Sequence, residues 1–310
     1  MTALRQAVEE YLSLRRALGF KLRDVGVAFR SFLAFCDSEG VTVVTTELAR
    51  RWAVSANASP ARAAWRLRII RDFAIHHQAN DPRTEIPPED LLPCRNYRKT
   101  PYLYSDQEVG RLLQAARELP PGKGLRHRTY PALIGLLAAT GLRVGEALAL
   151  NDADIDWQAG TLIVRESKFR KTRLVPAHAS VVDRLRQYQE ARGRVHPAPL
   201  TPAFFVSERG RRLPYPTVGM VFRRLCKQIG LHGSATGRGP RIHDLRHRFA
   251  VNTLIRWYRE GVDVERCLPK LSTYLGHGRC EHTYWYLTAV PELLRLAAER
   301  LEQKGVSHEE

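Results

Sequence analysis

The chain has 310 residues, enough for two domains with substantial cores, and its hydrophobic (44 %) and charged (26 %) fractions are those of an ordinary globular protein. Against 32 Asp and Glu stand 49 Lys and Arg, a formal charge of +17. That balance argues for a polyanionic partner, because each phosphate contact releases condensed counterions and binds without regard to sequence. Arg predominates over Lys, and its planar fork suits bidentate phosphate recognition. No apolar run approaches the roughly 20 residues of a bilayer span. The start Met1-Thr2-Ala3-Leu4-Arg5, soon followed by Glu9 and Glu10, does not read as a signal peptide. The expected location is therefore the cytosol. The five cysteines contain no C-x-x-C pair, which argues against a disulfide framework. Cys267, His277, Cys280 and His282 fit no common zinc spacing, and no metal or cofactor is expected.

In chain order, residues 1 to about 80 read as four helices. Leu4, Val8, Tyr11, Leu12 and Leu18 keep a helical period up to Gly19, and Val25, Phe29, Phe32, Leu33 and Cys36 keep another up to Glu39-Gly40. Thr46 can cap a short helix through Trp52. Ser59-Pro60 opens the fourth helix, which carries Trp65, Leu67, Ile69, Ile70 and Phe73 together with Arg62, Arg66, Arg68 and Arg71. Five prolines between residues 81 and 101 rule out a helix or central strand, so that stretch is expected to be a linker, ending in the basic run Arg95 to Lys99. Residues 1–99 carry a net +5 and residues 100–310 a net +12, so both parts are basic, as a two-lobed clamp on a duplex requires.

The second domain, residues 102–310, opens with the capping box Ser105-Asp106-Gln107-Glu108 and a helix through Glu118. An apolar helix from Tyr130 to Ala139 ends at Thr140-Gly141. Strands are expected around 162–164 and 173–176, joined by the turn Glu166 to Lys171. Helices follow at about 178–192, 216–229, 243–259 and 264–275, with a last one from Pro291 to Lys304. The fold class is thus mainly α, with a small antiparallel sheet in the second domain.

Several polar residues stand out along this second domain. Arg143 follows a glycine turn, and Glu146 three residues on can orient its guanidinium. His243 and Arg246, also three apart, share a helix face. Between Glu208 and Arg248 lie ten Lys and Arg, with only Glu208 and Asp244 as acids. Leu275-Gly276-His277 precedes two tyrosines, Tyr284 and Tyr286, which on a helix lie roughly 200° apart, so only one can face a given pocket.

Taken in order, these motifs resemble the tyrosine recombinase (phage integrase) family over nearly the whole chain. Thr140-Gly141-Leu142-Arg143-Val144-Gly145-Glu146 resembles the family's first-arginine motif. Ser167-Lys168-Phe169-Arg170-Lys171-Thr172-Arg173-Leu174-Val175-Pro176 resembles its hairpin, a register that selects Lys168 over Lys171, although the turn is less glycine-rich than usual. His243-Asp244-Leu245-Arg246-His247 resembles the His-x-x-Arg box and Leu275-Gly276-His277 the next box, whose spacing to the nucleophile selects Tyr286 over Tyr284. Phrases such as Arg256 to Asp263 and Trp285-Tyr286-Leu287-Thr288 are similar to those of mobile-element members.

The resemblance implies an N-terminal four-helix, SAM-like core-binding domain that clamps DNA, and a catalytic domain that cuts and rejoins strands. Tyr286 would attack the scissile phosphorus and leave a 3′-phosphotyrosine, without metal or ATP. Arg143 and Arg246 would clamp the non-bridging oxygens, Lys168 would protonate the leaving 5′ oxygen, His243 would take the tyrosine proton, and His277 would bond the phosphate. Arg62, Arg66, Lys99, Arg170, Lys171 and Arg241 are the expected DNA contacts. The implied partners are double-stranded DNA with specific sites, three further copies forming a tetramer through the C-terminal helix, and accessory recombination proteins. The competing readings are a type IB topoisomerase-like relaxing enzyme and a non-catalytic DNA-binding regulator.

Overall fold

The computed structural model describes residues 2–55, 57–92, 101–120, 124–165, 172–198, 200–232, 239–288 and 290–306. The chain divides into two compact units, Met1–Arg98 and Lys99–Glu310.

The first unit holds four helices, α1 (Ala3–Ala17), α2 (Arg23–Ser38), α3 (Thr46–Val54) and α4 (Pro60–His77). Their apolar stripes meet around Tyr11, Phe29 and Phe73, packed edge to face, with Phe32 set against Trp52. The cap of α3 is Thr45, one residue earlier than expected: it is extended and its hydroxyl accepts from Leu48 N–H. At α4, Ser59 caps and Pro60 takes the first helical position, where a missing N–H costs nothing. Residues 84–92, within the stretch expected as linker, are tied to this unit. Glu85 N–H donates to Val44 O (2.9 Å), its carboxylate accepts from Thr46 N–H (2.7 Å), and Leu91 and Leu92 lie on the core.

The second unit begins with α5 (Asp106–Arg117), α6 (Arg126–Thr140) and α7 (Val144–Ala149). The reciprocal capping box of Ser105 and Glu108 is formed. Helix α6 starts a turn earlier than the sequence signal at Tyr130, because Pro131 lies in its second turn, where the helix forgoes one backbone bond. A meander follows, β1 (Ile155–Asp156), β2 (Thr161–Val164) and β3 (Arg173–Pro176), antiparallel with Leu162 opposite Val175 and Val164 opposite Arg173. Strand β1 adds to the expected pair.

Then come α8 (Ala179–Val195), α9 (Tyr215–Gln228), α10 (Asp244–Arg259), α11 (Val264–Leu275), α12 (Glu281–Thr288) and α13 (Pro291–Val306). The main core is built on α6, whose side chains from Tyr130 to Ala138 are nearly all buried. A smaller cluster joins α10, α11, α12 and α13 through Leu254, Leu268, Leu275, Tyr286 and Leu293. The last helix is seated on its own unit: Leu293 is buried, Glu292 pairs with Arg259, and Arg300 donates to the carbonyls of Gly261 and Val262. Among the described residues no helix is long and apolar enough to cross a membrane.

Candidate active site

The end of α11 organises the site. Gly276 adopts φ +68°, its N–H donates to Thr273 O and His277 N–H donates to Ser272 O, the paired bonds of a glycine-terminated helix. This turn leaves the carbonyls of Tyr274, Leu275 and Gly276 available, and each receives a different arginine. Arg173 Nε donates to Tyr274 O (2.8 Å), Arg246 Nη2 to Leu275 O (2.7 Å) and Arg143 Nη2 to Gly276 O (3.0 Å). The negative end of a helix dipole favours cations at this place.

Each guanidinium has a second anchor. Arg246 also donates to Gly141 O (2.8 Å), the carbonyl beyond the end of α6, where Gly141 is left-handed (φ +62°). A Cβ at Gly141 would stand 2.5 Å from the Phe249 ring, so only glycine fits. Arg143 sits at the N-cap of α7, just before the helix. Glu146 takes its backbone N–H (3.0 Å) and its Nη1 (2.7 Å). The same carboxylate is gripped by both nitrogens of the Arg173 fork (3.1 and 2.8 Å). Burial by itself would push the Glu146 pKa up, but Arg173 and then Arg143 hold it down at about 2. Arg246 is 2 % exposed, and its pKa falls to about 10 through loss of hydration and the neighbouring Arg143 charge.

Tyr286, on α12, is 3 % exposed, whereas Tyr284 is 49 % exposed and turned outward. The Tyr286 ring stacks on His277 (6.1 Å) and touches His247 (5.5 Å) and Trp285. His277 Nδ1 lies 2.7 Å from the hydroxyl of Thr283, which is fully buried. Desolvation, with Arg246 and Arg143 nearby, pushes the His277 imidazole down to about 3. His247 falls to about 4 through desolvation and the adjacent His243. His243 occupies the N-cap position of α10, and its pKa is lowered by desolvation and by Arg246. Ring contacts run from His243 to His247 (5.1 Å) and from His247 to Tyr286, so the expected base meets the tyrosine through a second histidine.

Arg143, Glu146, Arg246, His277 and Tyr286 are therefore gathered in one place, with His243 at its edge. Lys168, Arg170, Lys171 and Lys99 lie outside the described residues. Arg241 pairs with the buried Asp244 (2.8 Å) and lines a groove of about 750 Å³ between α9 and the start of α10. The described lining also carries Arg223, Lys227, His232 and His243, and no acid. Arg62 lies exposed over the Trp65 ring (4.0 Å). Arg66 donates through Nη1 to the carbonyls of Trp52 and Ser55, at the end of α3. Sequence reasoning missed Arg173, His247 and Thr283 as parts of the site. Nothing in periodicity distinguishes Arg173 from the other basic residues of its hairpin.

A site with paired guanidiniums, neutral imidazoles and a tyrosine is the equipment for nucleophilic displacement at a phosphodiester. The sequence profile described as the phage integrase family matches residues 102–292. The integrase/recombinase y4rB of Sinorhizobium fredii is 48 % identical over 310 residues, covering 98 % of each chain. The tyrosine recombinase XerC of Chlamydia caviae is 30 % identical over 71 % of this chain and 65 % of its own. In fold, the chain is similar to the Tn1549 transposon integrase solved with transposon right end DNA, with a TM-score of 0.66 at 16 % identity over 97 % and 100 % of the two chains. The chain belongs to the phage integrase family, the tyrosine recombinases.

Proposed function

We propose that this protein is a site-specific DNA recombinase in which Tyr286 is the nucleophile. The observation that carries the reading is the convergence of Arg143, Arg246, His277 and Tyr286 on the end of α11. In the reaction Tyr286 Oη bonds to the scissile phosphorus, the P–O5′ bond breaks, and the 5′ oxygen leaves with a proton from Lys168. The tyrosine proton passes to His243, with His247 beside it. An unperturbed tyrosine pKa near 10 leaves the hydroxyl protonated at neutral pH, so a base is needed. One phosphodiester replaces another, and the bond energy is kept for rejoining.

Arg143 and Arg246 meet the charge that spreads over the non-bridging oxygens, the main task in phosphoryl transfer. In the tautomer whose Nδ1 accepts from the Thr283 hydroxyl, His277 keeps its proton on Nε2 and donates a hydrogen bond from there to a phosphate oxygen. Because Tyr286 is 3 % exposed, α12 has to shift for its hydroxyl to reach a DNA phosphate.

Residues 1–80 act as the DNA-clamping domain, with Arg62 on the duplex, joined to the catalytic domain at 102–310 through the 81–101 stretch. Exchange between two duplexes breaks four strands and each chain supplies one tyrosine, so four protomers work together on paired sites. Helix α13, seated here on α10 of its own chain, can make the same contacts with a neighbour. The protein serves a mobile element in the bacterial cytoplasm and works with accessory recombination proteins.

The test is a nicked suicide duplex that carries the element's end and is incubated with the protein. A covalent adduct is expected with the parent chain and with Tyr284→Phe, and none with Tyr286→Phe. An adduct that survives Tyr286→Phe but not Tyr284→Phe would overturn the assignment. Adducts followed only by relaxation of supercoiled DNA would favour the topoisomerase reading.

A further inference from the structure

Arg173 is the third arginine at the end of α11, and it differs from the other two. Its side chain is 10 % exposed against 31 % for Arg143, and all three of its guanidinium nitrogens are engaged by internal acceptors. All its anchors are internal: Tyr274 O on one side and both oxygens of Glu146 on the other. It also starts β3, where Arg173 stands opposite Val164 of β2. The far side of that strand is held as well, since Tyr274 Oη donates to Pro176 O (3.3 Å). Arg173 thus joins three parts of the site: the hairpin, the end of α11 that bears His277, and the carboxylate that grips Arg143.

The consequence for Arg143 is specific. Glu146 Oε1 accepts from Arg143 Nη1 and from Arg173 Nη1 together. Were Arg173 absent, this carboxylate could rotate and draw Arg143 into a two-pronged pair of its own, turning its fork from the phosphate and towards α7. Carboxylate and guanidinium prefer that parallel geometry wherever nothing prevents it. Gly276 leaves the room Arg173 occupies: a Cβ there would sit 2.6 Å from Arg173 Nη1 and 2.8 Å from Cζ.

We propose that Arg173 is a positioning residue for strand cleavage, which occupies Glu146 so that Arg143 faces the scissile phosphate, and which ties the start of β3 to the end of α11. The inference deepens the recombinase reading and rests on it. Arg173 touches neither substrate nor the reacting atoms, so its role is read through Arg143.

The experiment compares two nicked suicide duplexes, one with the normal scissile phosphate and one with a methylphosphonate at that position, tested with the parent chain, Arg143→Ala, Arg173→Ala and Arg173→Lys. The methyl group removes the non-bridging negative charge that Arg143 is there to neutralise. Cleavage of the neutral substrate therefore depends less on that arginine. The quantity read is the ratio of the two adduct rates for each protein, in which the fraction of correctly folded molecules cancels. Arg143→Ala is expected to shift the ratio towards methylphosphonate by roughly 100-fold or more. Arg173→Ala should shift it in the same direction by about 10- to 100-fold, the scale of a misplaced catalytic group. Arg173→Lys should stay near Arg173→Ala, because one ammonium cannot span Tyr274 O and both Glu146 oxygens.

Equal losses on both substrates would reduce Arg173 to a structural residue, and full rescue by lysine would reduce it to a charge; either result overturns the proposal. If the parent chain forms no adduct on either duplex while remaining folded, the recombinase reading itself fails and takes this inference with it.

Discussion

His277 and His247 stand among guanidiniums, and both imidazoles are held neutral, at about 3 and about 4. In the unfolded chain each returns to about 6.5. As the pH falls below that value, the unfolded state takes up protons that the folded state refuses, so stability is lost progressively down to about pH 4 and levels off near 3. Each histidine that is protonated only in the unfolded chain contributes a slope of at most about 1.4 kcal/mol per pH unit, so thermal midpoints should drop by several degrees between pH 7 and 5. Replacing His247 by Gln should flatten that slope, and a melting series against pH would check it. An unchanged slope would mean that the acid response arises elsewhere. Glu146 acts in the other range: its pKa of about 2 adds stability above the ordinary carboxylate value, and this is lost as the pH falls through 2.

Part of this residue chemistry was legible in the chain. Helix geometry left Tyr284 and Tyr286 both open and the family resemblance selected Tyr286; the structure buries Tyr286 and exposes Tyr284. Arg173, His247 and Thr283 were not legible, because their importance lies in contacts between residues far apart in sequence. A buried arginine satisfied by a carboxylate 27 positions away looks in sequence like any solvated base.

At the scale of elements, two glycines make a controlled comparison. Gly230 (φ +75°), just beyond α9, and Gly276 (φ +68°), just beyond α11, are both left-handed. A methyl at Gly230 would meet nothing within 4 Å, whereas one at Gly276 would strike the Arg173 guanidinium. Gly230→Ala should therefore cost only the backbone strain, about 1–2 kcal/mol, and leave cleavage unchanged. Gly276→Ala should cost more than that and depress adduct formation as well, because Arg173 has to leave Glu146. Denaturant melts and suicide-substrate assays on the pair would check this. Equal behaviour would remove the special standing of the α11 turn.

Most helices were legible because apolar stripes and capping residues agree locally. The cap at Thr45 rather than Thr46 and the early start of α6 are shifts of a residue or a turn, the ordinary variation of helix ends. Strand β1, only Ile155–Asp156, was invisible because two residues carry no period and exist by pairing with β2. The sequence also could not say that residues 84–92 are bound to the first unit, since their anchors are backbone groups and one carboxylate.

For the whole molecule, the excess of 17 positive charges is shared by two units, each with its own core. If binding neutralises about 6–10 phosphates, raising the salt from 50 to 200 mM should weaken it by roughly 10³- to 10⁵-fold. If the first unit contributes phosphate contacts through surfaces such as the one bearing Arg62, a fragment of residues 99–310 should fold. Its plot of log affinity against log salt should be shallower than that of the full chain. Equal slopes would assign the electrostatic footprint to the catalytic unit alone. Charge and its division along the chain follow from composition alone, since they depend on residue type and not on contacts.

The end of α11 has one more consequence, in cooperativity. Arg143, Arg173 and Arg246 all rest on consecutive carbonyls of one helix turn, so fraying of that turn would release all three together. Local opening free energies vary widely within a protein, and helix ends are commonly among the first places to open. Here the helix end and the arginines of the proposed site share the same hydrogen bonds, so the two are expected to open together. Hydrogen exchange at the Gly276 and His277 amides, which close the turn, should then report how often the enzyme is competent to cut. Slower exchange when DNA is bound would show the phosphate locking a helix end as it fills the site.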